Sequence, residues 1–594
     1  MRFPLAGVDK RAAFQSQPPY SSPAALNCTG DDAITGRARG GSRPGLSKSL
    51  TTDRAGPYQF LDVVNVDVGD GENSYTRLVV GCTNGYLLRK TEGAATWTEV
   101  SGGPHVNPSV QLSVAKREQK LFIADYSNVN GTDGAMTGGI FTSATYPNWE
   151  TAGITASNVT QWRLSITTAG VDAFYSISAV SGSNLTITSP PANNTGLTYA
   201  LHRTPKVWNL ATDTVAVWTT DDYVAGEVGV VGEEKGTVPT GCSIICEYQD
   251  RMVLAGHVRD PHVWFSSRSG DPYDFDYGIA DRTSAVASSN YLGGQIGEPI
   301  QALIPHGYDC LIMGAQDAIY VMRGNPANTS SQLVKVDDVV GVLSANAWCK
   351  TPADETILLT RDGLYYMPSG CGVPPTSISR EKLPLELIGL TPSSYYINLA
   401  YDVLLRCVHI WTIPVPSSGN PTQTTCWLFN WEHKAFWPIN FPAAMQPTAL
   451  CDYPPLGTAT DSSVLLGGYD GIVRQFDKEA YTDDGTEFLA YFDTLFMLSP
   501  NTELKGVIQR MRVTMGEDSG PATWELTTGN TAEEAVNKMA RGEAFNTGNV
   551  DGYAAYPRGS GHYACLRIST FDSTQQFVYE NTVAQVREAG RMRY

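Results

Sequence analysis

Several features that would assign a chemistry to this protein are missing from its sequence. No stretch approaches the roughly 18 apolar residues of a membrane-spanning helix, and the opening MRFPLAGVDK lacks the apolar core of about 7–15 residues that a secretory signal needs. There is no HExxH or GxSxG motif, and the eight histidines have no metal-ligand spacing. We therefore expect no membrane-spanning segment, no metal or cofactor, no catalytic residues and no enzymatic activity.

Positive charge is also scarce. The 594 residues include 42 Lys and Arg against 60 Asp and Glu, which gives a formal net charge of −18. Tight, general DNA binding depends on Lys and Arg that neutralise phosphates, so this balance argues against it. If the protein meets DNA, we expect it to let the duplex pass and not to grip it.

Cysteines are present but not grouped. The eleven cysteines are odd in number and scattered. Cys242 and Cys246 are four residues apart, but no second Cys/His pair at zinc spacing accompanies them. We expect reduced, buried thiols in a protein made in a cytoplasm.

One basic, glycine-rich stretch, TGRARGGSRPGLSKSL (Thr35–Leu50), invites a nucleotide-binding interpretation. Gly40 and Gly45 have the spacing of the two glycines of a phosphate-binding loop. That loop also requires Lys and then Ser or Thr directly after the second glycine, whereas Leu46 and Ser47 follow Gly45. The stretch is therefore not a nucleotide site, and a nucleic-acid arm or a structural element remains.

Short apolar runs separated by turns dominate the chain. LVVGCTNGYLLRK (Leu78–Lys90) and VLLGGYDGIVRQFD (Val464–Asp477) show the pattern, with Asn-Gly and Asp-Gly turns of the kind that favour tight hairpins. Such turns fall near residues 84, 133, 260, 317, 362, about 420 and 470. One hairpin cannot bury its apolar face alone, whereas four-stranded units repeated in a ring can. The spacing predicts an all-β chain built on a degenerate six- or seven-bladed β-propeller.

Two segments differ in composition and pattern from the repeated apolar runs. Residues 146–235 are rich in Ser, Thr and Gly and predict an inserted small β module. Residues 481–594 predict a C-terminal β-sandwich, with a short helix in TAEEAVNKMA, where Thr531 and Glu534 have capping-box spacing. Propeller blades then occupy 55–145 and 236–480, and residues 1–54 form an extended N-terminal arm.

The best catalytic candidates are carboxylates in SGDPYDFDYGIADRTS (Ser269–Ser284), where Asp271, Asp274, Asp276 and Asp281 cluster. Propellers host glycosidases, which need two carboxylates across the scissile bond. Asp residues beside Pro and Gly more often cap turns, and we adopt that interpretation. His257 and His262 are expected to be surface loop residues. Among Trp427, Trp431 and Trp437 we expect a mix of packed and partly exposed rings.

The order of five segments resembles the tail nozzle proteins, or lower tail tube proteins, of short-tailed bacteriophages. The five segments are GRARGGSRPGL (Gly36–Leu46), YQDRMVLAGHVRDPHVWFSSRSGDPYDFDYG (Tyr248–Gly278), GEPIQALIPHGYDCLIMGAQDAIYVMRG (Gly297–Gly324), GGYDGIVRQFDKEAYTDDGTEFLAYFDTLFM (Gly467–Met497) and REAGRMRY (Arg587–Tyr594). Each pattern is loose, and the specificity comes from their order.

The resemblance implies a structural virion protein, assembled in the bacterial host cytoplasm and located in the tail. It implies a homo-hexamer below a tail adaptor, near needle, fibre or spike proteins, around a channel for genomic double-stranded DNA without sequence-specific binding. We expect the channel wall to be acidic or neutral, with Asp317, Asp362 and Asp470 as candidates because propeller turns lie at its rims. We also expect residues 1–50 to dock on a neighbouring subunit or on the adaptor.

Two alternatives stay open on the sequence. One is a receptor-binding or polysaccharide-depolymerising propeller in the same virion. The other is a cellular propeller scaffold that presents a partner-binding face and forms no ring.

Overall fold

The structure is a computed structural model. It describes residues 1–50, 56–67, 75–91, 94, 96–127, 129–168, 173–219, 236–277, 281–288, 296–328, 332–338, 340–370, 373–379, 384–416, 421–453, 464–501, 504–570 and 575–591. Three parts share the chain: a β-propeller, a barrel inserted into it, and a C-terminal sandwich.

Seven four-stranded antiparallel sheets form the propeller. The first strands of successive blades contact one another, so they lie nearest the axis. From the axis outward, blade 1 contains Tyr58–Asp67, Tyr75–Thr83, Tyr86–Thr91 and Thr98–Glu99, blade 2 contains Ser113–Arg117, Lys120–Ala124, Lys206–Asn209 and Thr214–Val217, and blade 3 contains Cys242–Tyr248, Arg251–His257, Phe265–Ser266 and Val286–Ala287. In the same order, blade 4 contains Ile300–His306, Cys310–Ala315, Ile319–Arg323 and Gln332–Asp337, blade 5 contains Trp348–Lys350, Thr356–Thr360, Gly363–Met367 and Thr376–Ser377, and blade 6 contains Tyr395–Asp402, Cys407–Pro414, Cys426–Asn430 and Ala435–Ile439. The predicted propeller is confirmed, with seven blades.

Blade 7 is assembled from both ends of the sequence. Its first three strands are Pro447–Asp452, Val464–Gly468 and Val473–Asp477, and its outermost strand is Gly45–Leu50. Leu46 lies opposite Phe476 in the antiparallel register. Gly45 approaches the backbone so closely that a Cβ there would lie 2.4 Å from the carbonyl oxygen of Thr482. Gly45 is thus needed for close backbone approach.

Five of the seven turns predicted from sequence, near residues 84, 260, 317, 362 and 470, follow the second strand of a blade, one each in blades 1, 3, 4, 5 and 7. The turn predicted near residue 133 is wrong, because that position lies within the barrel strand Asn130–Thr137, and the turn predicted near residue 420 lies outside the described residues. In blade 1, Asn84 and Gly85 both have positive φ, 48° and 81°, as the tight hairpin requires. These turns define the upper face of the propeller. The turns after the first and third strands define its lower face, because consecutive antiparallel strands end on opposite faces.

The inserted module is a closed six-stranded barrel that leaves the upper face of blade 2. Its strands are Asn130–Thr137, Ile140–Thr142, Trp162–Ile166, Ala173–Ser181, Asn184–Ile187 and Asn194–Arg203. The barrel therefore begins before residue 146 and ends well before 235, and the predicted bounds were wrong. Lys120–Ala124 and Asn130–Thr137 do not pair with each other, because the first belongs to the propeller and the second to the barrel.

The C-terminal part is a two-layered sandwich, as predicted. One sheet contains Ala25–Leu26, Ala490–Met497, Tyr563–Thr570, Thr523–Gly529 and Asn546–Asn549, and the other contains Ser560–Gly561, Leu504–Met515 and Tyr579–Arg591. The predicted helix spans Ala532–Ala540, and the Thr531 side chain accepts from the Glu534 amide at its N-terminus. Its buried face (Ala535, Val536 and Met539) packs on the sandwich.

The remaining elements are short. A two-stranded ladder joins Cys28–Thr29 to Gly41–Ser42, and 3₁₀ turns cover Phe14–Ser16, Trp149–Ala152, Val159–Gln161, Leu385–Leu387, Pro392–Ser394 and Ala443–Met445.

Nine cysteines are buried free thiols, as expected. Cys310 is disulfide-bonded, so the expectation of reduced thiols fails there.

The N-terminal arm packs within its own chain. Phe3 stacks on Trp437 of blade 6 at 5.2 Å and meets Phe492 of the sandwich edge-on at 4.8 Å. The Thr582 amide donates to the Met1 carbonyl. These apolar residues of the arm fill the gap between blade 6 and the sandwich, and docking of residues 1–50 on a neighbouring subunit or adaptor stays a prediction.

Arg43 is the centre of this packing. Both Arg43 and Asp483 have fully buried side chains, and the guanidinium donates to the two Asp483 carboxylate oxygens at 2.8 and 2.6 Å. Its remaining donors bond to the Asn27 side chain and to the carbonyls of Pro44 and Asn440. All five N–H groups of the guanidinium are therefore satisfied.

The barrel meets the propeller through a second buried pair and a histidine contact. Arg203 donates to Asp125 at 2.6 Å, and both side chains are at most 2% exposed.

His202, in the last barrel strand, is fully buried and stacks on His257 of blade 3 at 6.2 Å. No described residue hydrogen-bonds either ring nitrogen of His202. Burial first, then the charges of His257 and Arg259, lower the pKa of His202 to about 4. His257 is buried too, so its expected loop exposure was wrong, whereas His262 is exposed.

We predict that Arg43→Met destabilises the protein by about 3–5 kcal/mol, because it leaves the Asp483 carboxylate buried without a partner. The double variant Arg43→Met/Asp483→Leu should recover most of that loss, since no buried charge remains. Urea unfolding measures both. Arg361→Met is the control: it breaks a half-exposed pair with Asp317 and should cost at most about 1 kcal/mol. A similar cost for Arg43→Met would contradict the prediction.

We predict that acid weakens the joint between barrel and propeller. A histidine whose folded pKa lies below its unfolded value of 6.5 contributes stability that is complete above pH 6.5 and is lost as the pH falls toward about 4. The loss should reach on the order of 3 kcal/mol. His202→Phe should flatten this dependence in urea unfolding between about pH 7 and pH 4.5. The exposed-site variant His262→Phe should keep it; equal pH profiles for His202→Phe and the native chain would refute the assignment.

Candidate functional site: carboxylates on the lower face

The axis of the propeller is too narrow to be a conduit itself. The first strands of the blades line a cavity of about 400 Å³. A DNA duplex, whose major groove alone is about 12 Å wide, cannot pass through it. Any DNA channel must therefore lie outside a single propeller.

The turns after the first strands carry carboxylates in four consecutive blades. Glu118, Asp250, Asp309 and Asp354 occupy these turns in blades 2 to 5 and are all exposed. Glu118 and Asp250 form no ion pair with a described residue, Asp309 accepts only from the Gln249 amide at 3.1 Å, and Asp354 pairs with Lys350. We call these four residues the carboxylate arc.

Backbone conformation explains part of this arc. Glu118, Asp250 and Asp354 have φ of 54°, 57° and 58°, the left-handed region that Asp tolerates better than most residues. Glutamate has no such advantage, so the turn geometry does not account for Glu118. These positions carry no turn signal in the sequence, because the turns in KREQK and YQDRM contain no Asn-Gly or Asp-Gly pair.

Charges accumulate near the arc. Burial raises the pKa of Glu247, at the end of the first strand of blade 3. The Arg117 guanidinium lowers that pKa, while the neighbouring Asp250 and Glu118 carboxylates raise it. Burial is the main cause of the raised pKa, and the two carboxylates add to it because like charges oppose ionisation.

Asp452 lies on the same lower face, at the end of the first strand of blade 7. It is solvent-accessible but lies in a concavity between the walls of the propeller, and this enclosure, followed by the Asp62 carboxylate, raises the pKa of Asp452 to about 6. Lys116 opposes the shift and is itself held by Asp62 at 2.6 Å. Asp452 also lines a cavity of about 670 Å³ between the arm and blades 5 to 7.

The carboxylates proposed from sequence lie on the opposite, upper face and have local partners. Asp317 pairs with Arg361 at 3.1 Å, and Asp470 pairs with Arg474 at 2.8 Å. Asp362 accepts from the Tyr365 hydroxyl. These three residues are therefore weaker candidates for a repelling wall than the carboxylate arc.

The aspartates of the long blade 3 loop act as turn caps in this structure. Asp271, Asp274 and Asp281 accept from the amides of Tyr273, Asp276 and Thr283, each two residues on. Arg268 lies 3.7 Å from Asp274 and 3.2 Å from Asp281. This arrangement is the one expected of turn residues.

The tryptophans divide as the strand pattern predicted. Trp427 and Trp437 are at most 1% exposed and belong to different core clusters. Trp431 is half-buried, with the Lys434 ammonium over its ring. They do not form one exposed platform.

The described residues show neither a membrane-spanning helix nor a metal-binding cluster. No helix among the described residues is long and apolar enough to cross a bilayer. Within the same residues, no three His, Cys, Asp or Glu side chains form a group that could hold a metal ion.

Comparisons with known proteins return propellers. No protein-family model and no curated protein matches the chain. Among solved structures, the WD40 β-propeller domain of Doa1 aligns over 73% of this chain and 98% of its own at 11% identity and a TM-score of 0.32. YCF48 bound to D1 peptide aligns over 73% and 99% at 8% identity and 0.32. A copper-bound fungal alcohol oxidase of the AA5 family aligns over 92% and 99% at 8% identity and 0.34. At these TM-scores the likenesses carry no argument about function.

Proposed function

We propose that this protein is the nozzle protein of a short bacteriophage tail, a structural subunit of a homo-hexameric ring through which double-stranded DNA leaves the virion. The carboxylate arc is the observation that carries the proposal. The ordered resemblance of five segments to tail nozzle proteins supports it. Tail adaptor, needle, fibre or spike proteins are the partners that this assignment implies.

The narrow axis decides where the conduit would lie. Since a cavity of about 400 Å³ excludes a duplex, DNA would pass between copies, along surfaces that face the centre of the ring. The lower face suits this position, because its exposed carboxylates are mostly without cationic partners.

Electrostatic repulsion explains why a wall of carboxylates would let DNA pass. DNA carries one charge per roughly 1.7 Å of its axis, and charges within about 8 Å still interact at physiological salt. In a ring of six, each inward carboxylate appears six times around the duplex. The wall would therefore repel the phosphates from every side and keep the DNA centred, whereas a basic wall would bind it.

Particle imaging tests the location. Cryo-electron microscopy of virions should place six copies of this chain at the distal end of the tail, with the lower faces toward the channel. A chain found in a peripheral fibre or spike, together with polysaccharide turnover or saturable binding to host cells, would favour the receptor-binding alternative. A continuous Lys/Arg lining at the narrowest point would contradict the charge argument.

Charge reversal tests the wall itself. We predict that particles carrying Glu118→Lys, Asp250→Lys and Asp309→Lys release DNA more slowly, with a rate that recovers as salt increases, because the inserted cations bind phosphates. DNA release measured with an intercalating dye reports this. The control is Asp317→Lys, Asp362→Lys and Glu298→Lys, with the same charge change but with two substitutions in upper-face turns, and it should release DNA at the native rate. Equal slowing in both variants would refute the role of the arc.

A further inference from the structure

The outer face of the smaller sandwich sheet departs from the acidic character of the chain. Along the strand Leu504–Met515, Arg510 and Arg512 are exposed, whereas Ile508, Met511 and Val513 point into the core. On the neighbouring strand, Arg587 is exposed and lies opposite Val507. Alternation along both strands therefore places these arginines on one solvent-facing surface.

A third segment completes this surface. Ala555 pairs with Met511, and the Ile508 amide donates to the Gly559 carbonyl, so this segment runs along the other side of the same strand. Its alternate residues Tyr556 and Arg558 are exposed, Tyr556 by 64%. Val583, opposite Arg512, is 66% exposed. We call Lys505, Arg510, Arg512, Arg558, Arg587, Tyr556 and Val583 the basic sheet face.

None of its five cations forms an ion pair or a hydrogen bond through its side chain with a described residue. Four of the five are arginines, and a tyrosine and a valine lie exposed among them. Tyr and Arg are enriched in protein interfaces, whereas Lys is depleted, and a guanidinium binds carboxylates in a bidentate manner. The composition thus fits an acidic protein partner.

The chain itself offers a complementary surface. A cleft of about 710 Å³ opens between blade 7 and the sandwich. Its described lining residues include Asp477, Glu479 and Asp518, the partly exposed apolar groups Ile34 and Tyr481, and one cation, Lys478. Glu479 and Asp518 are exposed and make no ion pair with any described residue.

We propose that the basic sheet face docks on this acidic cleft of a second copy of the chain. The contact joins two different surfaces, and such a heterologous contact repeats into a ring or a filament. It leaves the carboxylate arc free. The inference deepens the proposed function by naming what would hold the copies together, and it rests on that function only for the closure of the ring.

Sedimentation velocity of the full chain tests the contact. We expect self-association that weakens with salt, and a rise of roughly tenfold or more in the dissociation constant for Arg510→Glu/Arg512→Glu. Glu479→Lys/Asp518→Lys should weaken association similarly, and the four substitutions together should restore part of it. The matched control Arg361→Glu/Arg541→Glu changes two exposed arginines elsewhere and should associate like the native chain.

Zero-length carbodiimide crosslinking identifies the acceptor. Lys505 is the only lysine of the basic sheet face, so in a mixture of ¹⁴N- and ¹⁵N-labelled protein it should form mixed-isotope crosslinks to Glu479, Asp477 or Asp518. Crosslinks within one copy only, a native chain that stays monomeric at low salt, or equal behaviour of the face variant and the control would overturn the proposal. So would duplex DNA binding that Arg510→Glu/Arg512→Glu abolishes, since the face would then contact phosphates. Absence of the chain from phage tails would sink the proposed function and leave this contact test unaffected.

Discussion

One buried ion pair joins the N-terminal arm to the segment between blade 7 and the C-terminal sandwich. Arg43 and Asp483 meet without contact with water, inside a shell of Phe441, Phe476 and Phe488 whose rings lie 3.9–5.8 Å from the guanidinium carbon. Removing both charges from water costs several kcal/mol per ion, and complete hydrogen bonding is what offsets that cost. Because every donor of Arg43 has an acceptor, the pair has one acceptable geometry. It thereby fixes where the arm enters, where blade 7 closes and where the sandwich begins.

This arrangement makes the propeller depend on its termini. Blade 7 lacks its outer strand until Gly45–Leu50 pairs with Val473–Asp477, and residue 1 bonds to Thr582. These contacts span most of the sequence, and closing long loops costs entropy before the contacts can offset it. Non-local pairing of this kind slows folding. Ring closure is therefore expected to come after the local hairpins of blades 1 to 6 have formed.

The sequence predicted what is local and missed what is distant. Asn84-Gly85 and Asp470-Gly471 revealed their hairpins because positive φ leaves a residue signature, and the spacing of such turns limited the number of blades to six or seven. GLSKSL (Gly45–Leu50) has no strong strand pattern, and its strand exists because blade 7 supplies a partner. No local signal marks such a pairing, so the sequence predicted only an extended arm there. The carboxylate arc was missed for a related reason: Glu118 and Asp250 sit in turns without glycine, and only the three-dimensional ring aligns them.

An acidic conduit must repel DNA and still hold its own copies together, and the unpaired charges of this chain lie on different surfaces for these two tasks. A chain with a net charge of −18 repels its own copies as well as DNA, so assembly needs a local attraction that acts at contact. The basic sheet face provides cations that form no ion pair with the described residues, while two arginines of the arm are paired internally: Arg39 with Asp32, and Arg43 with Asp483. At physiological salt, charges more than about 8 Å apart are largely screened. Cations sequestered between subunits would therefore stabilise the assembly without making the lower face attractive to phosphate, provided that the two surfaces stay farther apart than this distance.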